Sequence, residues 1–425
     1  MSKRILLVNS VLGMGSTGKI VGEYAEHFLH KGFEVKVAYG RGKAEEKYSK
    51  IAIRIGSKLN PAIHAIRSRI FDDAGWGSKK ATRRFIEWAE SFDPDVIWLH
   101  NLHGYYLNLP ILFDWLKTKP QLKIVITLHD CWLFTGHCSY FTYSQCRQWT
   151  NGCTKCPRNY QFHHMYPKTY FIPRCKRNYS RKKALFEGLN NVQIVTPSEW
   201  LESEVQKSFL SSFPIRAIPN QINHKVFYSR RSDMRSQFGL EGKIVVLAIA
   251  NVWTRNKGFE DLISVAKKLD SRFSLVIVGL KSKGIRVLKE HVSNRVYSIL
   301  RKKGYEEIAF SGCSVEGKKT YRSKVIPESP DAMVNALEAT DVNNSGVLNI
   351  LCFGPIRDQN QLAELYSSAD VFINCTHEDN YPTVNLEAVS CGCPVITYDV
   401  GGCRETIREQ QSEEEFWKQI DSMID

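Results

Sequence analysis

The stretch RILLVNSVLGMGSTGKIVGEYAEHFLHKGFEVKVAY, residues 4–39, carries a complete structural unit. RILLVNS (4–10) is a short apolar run of the kind a buried strand needs, and it empties into a glycine loop. Ile20, Val21, Tyr24, Ala25 and Phe28 then recur at helical spacing, and FEVKVAY (33–39) is a second apolar run. Strand, helix and strand in that order predict a βαβ unit. Between the first strand and the helix, Gly13, Gly15 and Gly18 spell G-x-G-x-x-G, and Gly13 to Lys19 nearly spell the phosphate loop G-x-x-x-x-G-K. The position after that lysine is Ile20, so no hydroxyl is there for Mg²⁺. The second strand ends Ala38-Tyr39-Gly40-Arg41, without the acid that holds a ribose 2′-hydroxyl, and Arg41 would suit only a 2′-phosphate. Two readings of the loop stay open. One is an anion held at a helix start; the other is glycines that only let a helix pack closely on a strand.

The same periods continue along the chain. DVIWLH (95–100), KIVITLH (123–129) and VQIVTPS (192–198) are further strand candidates, and near-continuous apolar runs suit a parallel sheet covered on both faces. The pattern restarts with KIVVLAIAN (243–251), SLVIVGL (274–280), LNILCFGPI (348–356), DVFINCT (370–376) and PVITYDV (394–400). Helices are expected at FEDLISVAKKL (259–269), NQLAELYSSA (360–369) and around VNLEAVSCG (384–392). At 425 residues the chain is too long for one core, so two α/β domains are expected. The polar, irregular stretch IPNQINHKVFYSRRSD (218–233) separates them, giving domains 1–225 and 226–425. Residues 281–347 fit poorly, being polar and far longer than a crossover helix needs, and read as an insertion.

Charge is uneven. Residues 1–230 hold 34 Lys and Arg against 17 Asp and Glu, whereas residues 231–425 hold 24 against 27. Basic residues gather at Arg67, Arg69, Lys79, Lys80, Arg83 and Arg84, and again at Arg174, Lys176, Arg177, Arg181, Lys182 and Lys183. They read either as solvated helix faces or as a docking surface for an anionic membrane. No nucleic-acid module is recognisable, so no nucleic-acid partner is expected. No run is apolar and long enough to span a bilayer, and MSKRILLVNS enters a strand pattern at once. A cytoplasmic chain, peripheral on the inner face of the plasma membrane, is the expectation. Its twelve cysteines should then be reduced or on metal. In GHCSYFTYSQCRQWTNGCTKCP, Cys138, Cys146, Cys153 and Cys156 suggest a closed structural zinc, with buried thiols or disulfides as alternatives.

Three segments of the second half carry the functional signal: NVWTRNKGFEDL (251–262), HEDNYPTVNLEAVSCGCPVI (377–396) and GGCRE (401–405). Together with TLHDCWLFTGHCSYF, the GC-x-x-CP stretch and TPSEWL of the first half, they resemble a family-4 retaining glycosyltransferase. The likeness is greatest to bacterial capsular and exopolysaccharide enzymes. The resemblance implies a type-B fold, two Rossmann-like domains facing a cleft. It also implies transfer of a hexose from a UDP- or GDP-sugar to a saccharide acceptor, lipid-diphosphate-linked, with retention and with no cofactor required for catalysis. By the same resemblance Glu387 holds the donor ribose, while Asp379 and the backbone N–H groups of Asn380 and Tyr381 face the sugar and diphosphate. Asp379 stands where the family pattern E-x(7)-E has glutamate, with Glu378 one place out of register. Lys257 matches the family's phosphate-binding lysine. The arginine usual six places earlier is Asn251 here, which leaves Arg255 as its substitute. Gly13, Gly15 and Gly18 would close over the donor from the opposite domain. His129, at a strand end, would position the sugar or exchange a proton, with Asp130 to orient it. A non-catalytic nucleotide-sugar or nucleic-acid binding protein that keeps the fold is the alternative.

Overall fold

The computed structural model describes residues 2–154, 156, 167–292, 295–299, 322–338, 349–408 and 410–424. They form two compact units, Met1–Asn220 with Gln411–Asp425, and Gln221–Gln410. The chain therefore divides a few residues before the expected 225/226. Its last stretch, expected in the second domain, belongs to the first.

In the first unit the strands are β1 (Arg4–Asn9), β2 (Glu34–Tyr39), β3 (Ala52–Arg54), β4 (Val96–Leu99), β5 (Lys123–Thr127), β6 (Val192–Thr196) and β7 (Ile215–Ala217). All are parallel, in the order β3-β2-β1-β4-β5-β6-β7. Helices α1 (Gly15–His30), α2 (Asn60–Phe71), α3 (Lys79–Phe92), α4 (Leu109–Lys117), α5 (Cys175–Leu185) and α6 (Glu199–Val205) lie along the connections. All four residues of β4 are buried, as the continuous apolar run requires of a strand covered on both faces. The predicted face of α1 packs inward, with Ile20, Val21, Tyr24, Ala25 and Phe28 all buried. Ser198 of TPSEWL accepts the Leu201 N–H at 3.1 Å and starts α6.

The second unit uses α7 (Met234–Gln237), β8 (Ile244–Ile249), α8 (Phe259–Lys268), β9 (Phe273–Val278), α9 (Ser282–His291), β10 (Arg295–Ile299), β11 (Lys324–Ile326), α10 (Pro330–Glu338), β12 (Asn349–Phe353), α11 (Gln359–Ser368), β13 (Val371–Asn374), α12 (Thr383–Ser390) and β14 (Val395–Tyr398). Its sheet is also parallel, in the order β10-β12-β9-β8-β13-β14-β11. The expected insertion is corrected here. Residues 281–347 supply both edge strands, β10 against β12 and β11 against β14. A three-residue edge strand such as Lys-Val-Ile leaves too short an apolar run to stand out. Of the same stretch, 293–294, 300–321 and 339–347 lie outside the described residues.

A final helix, α13 (Glu413–Ser422), carries the capping box of Ser412 and Glu415 and returns to the first unit. Phe416, Ile420, Met423 and Ile424 enter the core around Tyr24, Phe28 and Trp98, and Asp421 meets His27 at 2.8 Å. The tail after GGCRE, short as it is, closes the first sheet. Among the described residues no helix is long and apolar enough to cross a membrane.

Candidate functional site

In an open parallel sheet, ligands bind beyond the carboxyl ends of the strands, where the strand order reverses. In the second unit the reversal lies between β8 and β13. The loop after β8 is a single 3-10 turn, Arg255–Lys257, with Thr254 accepting the Lys257 N–H at 3.3 Å. Gly258 follows at φ +72°, and a Cβ there would sit 2.0 Å from the Cys375 carbonyl oxygen. Only glycine lets the two loops touch. Across that contact Lys257 Nζ donates to Asp379 Oδ2 at 2.6 Å and to the Glu378 carbonyl at 3.1 Å. Burial works against the charged lysine, but the Asp379 carboxylate outweighs it and holds the Lys257 pKa above its ordinary value.

The two adjacent acids are told apart by their surroundings. Glu378 is 3% exposed, and its carboxylate accepts from Asn256 Nδ2 at 2.6 Å. It ties the two loops together. The Asp379 side chain keeps 20% of its surface open and faces the lysine. Asp379 Oδ1 also accepts the Tyr381 N–H at 3.3 Å, so that N–H, expected to face a diphosphate, is turned onto the carboxylate here. Asn380 and Tyr381 are buried, and the Tyr381 hydroxyl donates to Gln410. Glu387, on α12, accepts the hydroxyl of buried Tyr366 at 3.2 Å. Asn385 bonds Asn374 at the end of β13 and Thr406 beyond the double glycine, fixing α12 between them. The Arg255 guanidinium pairs with Glu260 at 3.0 Å, both side chains about 60% exposed.

Sequence reasoning passed over His377. Its ring lies between Asp261 (2.9 Å) and Glu328 (2.8 Å), and the Tyr398 hydroxyl donates to the same Asp261. Burial disfavours the cation, but the two carboxylates prevail and raise the His377 pKa. A raised folded value makes this ring's contribution to stability complete below the unfolded pKa of about 6.5 and lost as pH climbs through the folded value. The thermal midpoint of His377→Gln is thus expected to trail wild type most near about pH 6 and less near about pH 8. A gap that stays constant with pH would refute the charged pairing.

In the first unit the order reverses between β1 and β4. Gly13 and Gly15 have φ of +73° and +65°, and the Gly13 N–H closes the loop onto the Gly18 carbonyl at 2.9 Å. Asn101, after β4, donates to Thr17 Oγ1 at 3.3 Å, which puts the loop beside the histidines that end the neighbouring strands. His129 Nε2 lies 3.0 Å from His100 Nδ1, with the rings stacked. Burial keeps both neutral, pushing His129 down to about 4 and His100 well below its usual value. The expectation that Asp130 orients His129 is corrected. Asp130 Oδ2 lies 2.5 Å from His103 Nε2, its Oδ1 accepts the Trp132 N–H, and His100 is the ring against His129.

The cysteine loop lies between β5 and α5. Cys138, Cys146, Cys153 and Cys156 line one small cavity with His137 and a fifth thiol, Cys175. A Cβ on Gly136 would sit 2.4 Å from the Cys175 carbonyl oxygen and 2.9 Å from Cys153 Cβ, so glycine there brings the two segments together. Cys175 starts α5, well beyond the C-x-x-C pair of Cys153 and Cys156, and its spacing carried no signal. As the side chains stand, no group of three or more His, Cys, Asp or Glu among the described residues is arranged to hold a metal ion. Lys182, counted with the basic cluster, is also corrected. It is 1% exposed, with Nζ donating to the Trp132 carbonyl and lying 3.9 Å from the centre of that residue's ring.

Two family models match the chain. Glycosyltransferase Family 4 covers residues 17–226, and Glycosyl transferases group 1 covers 342–421. A protein of Escherichia coli (strain K12) named for colanic acid biosynthesis, glycosyl transferase WcaC, is 27% identical over 207 residues, 46% of this chain and 49% of its own length. A D-inositol 3-phosphate glycosyltransferase of Frankia alni is 34% identical over 82 residues, 19% of each chain. The chain thus matches about half, or less, of the length of these curated relatives. Among solved structures, sucrose-phosphate synthase from Thermosynechococcus elongatus superposes with a TM-score of 0.58 at 16% identity, over 96% of this chain and 84% of that one. Anabaena HepE in complex with UDP and glucose gives 0.52 at 13%, over 96% and 83%. At such identities these two share the fold.

Proposed function

The chain belongs to the family-4 glycosyltransferases, and on that premise we propose that it moves a hexose from a nucleoside-diphosphate sugar to a saccharide acceptor carried on a lipid diphosphate. Transfer retains the anomeric configuration and serves cell-surface polysaccharide assembly, of the capsular or exopolysaccharide kind. The work is done at the inner face of the plasma membrane. The observation that carries the reading is the Lys257–Asp379 pair, with Glu387 on the helix that follows. When the bond from sugar to diphosphate breaks, negative charge grows on the leaving oxygen, and a fixed ammonium there lowers the barrier. Asp379 holds that ammonium charged and aimed. Glu387 accepts ribose hydroxyls. A neutral His129 acts by hydrogen bonding to the sugar and carries no charge of its own. No metal is needed where lysine and backbone N–H groups supply the stabilisation. Nothing in the chain favours the non-catalytic alternative.

UDP or GDP is the nucleotide, and the UDP and glucose bound to HepE make UDP-glucose the first donor to try. The test is release of free nucleoside diphosphate when donor and lipid-linked acceptor are mixed with the protein. No release across UDP- and GDP-hexoses, with no donor-induced thermal shift, would overturn the assignment.

For the thiol loop the reading is a structural zinc apart from the chemistry. It would be held by thiols of the set Cys138, Cys146, Cys153, Cys156 and Cys175, after rotation about their Cα–Cβ bonds. The convergence of five thiols on one cavity supports it. Purified protein is expected to carry about one zinc per chain and to lose thermal stability on chelation. Metal-free protein of unchanged stability, with all five thiols titrating as free, would remove the site.

A further inference from the structure

Helix α2 is turned inside out. Its inward positions are Pro61, His64 and Ser68, while Leu59, just before it, and Ile63 and Ile66 share the outer face at 70, 67 and 58% exposure. The orientation is locked from within. His64 bonds Ser78 Oγ through Nδ1 and receives the Gly77 N–H at Nε2. A Cβ on Gly77 would meet that ring at 2.5 Å. The helix therefore cannot roll to bury its isoleucines. The apolar face is also extended. Residues 169–172 run along the carbonyls of the last turn of α2. Tyr170 donates its N–H to the Arg69 carbonyl at 2.7 Å, Ile172 to that of Ile70 at 3.2 Å, and Thr169 Oγ1 to that of Ser68 at 2.9 Å. This strap sets Phe171, 72% exposed, and Ile172, 42%, beside Phe71, 38%.

Cations border the face. Arg69 is exposed on the same helix, and the Arg174 guanidinium lies 5.6 Å from the centre of the Phe71 ring. Arg67 pairs with Asp73 at 2.8 Å. Arg181 stacks on Trp76 at 3.6 Å. Arg174 of the second basic cluster thus meets the helix that carries Arg67 and Arg69 of the first. A fixed apolar ridge with an arginine border matches the interfacial layer of an anionic bilayer, which takes apolar side chains below and guanidinium groups at the phosphates.

We propose that the Leu59–Ile63–Ile66 face, extended by Phe71, Phe171 and Ile172, is the surface with which this chain enters an anionic bilayer, Arg69 and Arg174 meeting lipid phosphates at its border. The inference rests on the reading of a membrane-borne acceptor. The test is partition of the full chain onto phosphatidylcholine vesicles with and without about a third phosphatidylglycerol. Wild type is expected to bind the anionic vesicles, less well as salt rises. The triple variant Leu59→Ser, Ile63→Ser, Ile66→Ser should bind at least about tenfold more weakly at every salt concentration. The pair Arg69→Gln, Arg174→Gln should lose several-fold, mostly at low salt. All should keep the donor-induced thermal shift of wild type, showing that they fold. Undiminished partition of the folded triple variant would overturn this face and leave the membrane reading standing. A wild type that binds neither vesicle would sink both.

Discussion

Lys257→Ala protein is expected to turn over about 10²–10³-fold more slowly than wild type, the loss seen when one donor to a developing oxyanion is removed. Donor affinity should fall by less, because the diphosphate carries more charge on its leaving oxygen in the transition state than in the bound donor. The fold should survive. Both partners of the pair keep some exposure, 36% for the lysine side chain and 20% for Asp379, so the carboxylate left behind can be hydrated and the stability cost is about 0–1 kcal/mol. Arg255 is drawn to Glu260 on the outside of α8. The double change Lys257→Ala with Arg255→Ala should therefore cost little more than the single. A Lys257→Ala enzyme with kcat within about threefold of wild type would reduce the lysine to a surface charge.

The second large effect is at Glu387. Glu387→Ala is expected to weaken donor binding by about 2–5 kcal/mol, the range for truncating one partner of a buried charged hydrogen-bond pair. The structure adds a complication. The same carboxylate accepts the hydroxyl of Tyr366, which is fully buried, so alanine also orphans that donor and lowers stability by about 1–3 kcal/mol. Glu387→Gln separates the two effects. Its amide oxygen can still take the Tyr366 hydrogen bond, restoring the thermal midpoint, while the loss of charge keeps donor binding weak. If Glu387→Gln binds every nucleotide sugar as tightly as wild type, the ribose assignment fails and the residue is a clamp for Tyr366.

The site residues were legible to different degrees, for physical reasons. Lys257 and Gly258 sit in a turn whose chemistry is local, Thr254 capping it and glycine at positive φ ending it, and local chemistry is written in adjacent letters. The acidic turn was legible as a segment but ambiguous by one register. Glu378 and Asp379 differ in which one the fold turns inward, and that depends on Asn256, 122 residues away. Cys175, His377 and the pairing of His129 with His100 gave no sign, because each draws its chemistry from a residue on another strand or helix.

The sequence by itself determined the two parallel sheets, since continuous apolar runs alternating with helical faces have few other ways to be buried. It also singled out the loops after β8 and β13, which the fold brings into contact at Gly258 and Cys375. Tertiary structure alone decided that α13 closes the first sheet. It decided that residues 281–347 build both edges of the second sheet, and that Asp130 holds His103 while His100 meets His129. It also decided that α2 turns its isoleucines outward. Each of these depends on contacts between residues far apart in the chain, where the free energy of burial and pairing is set by neighbours that no local pattern names.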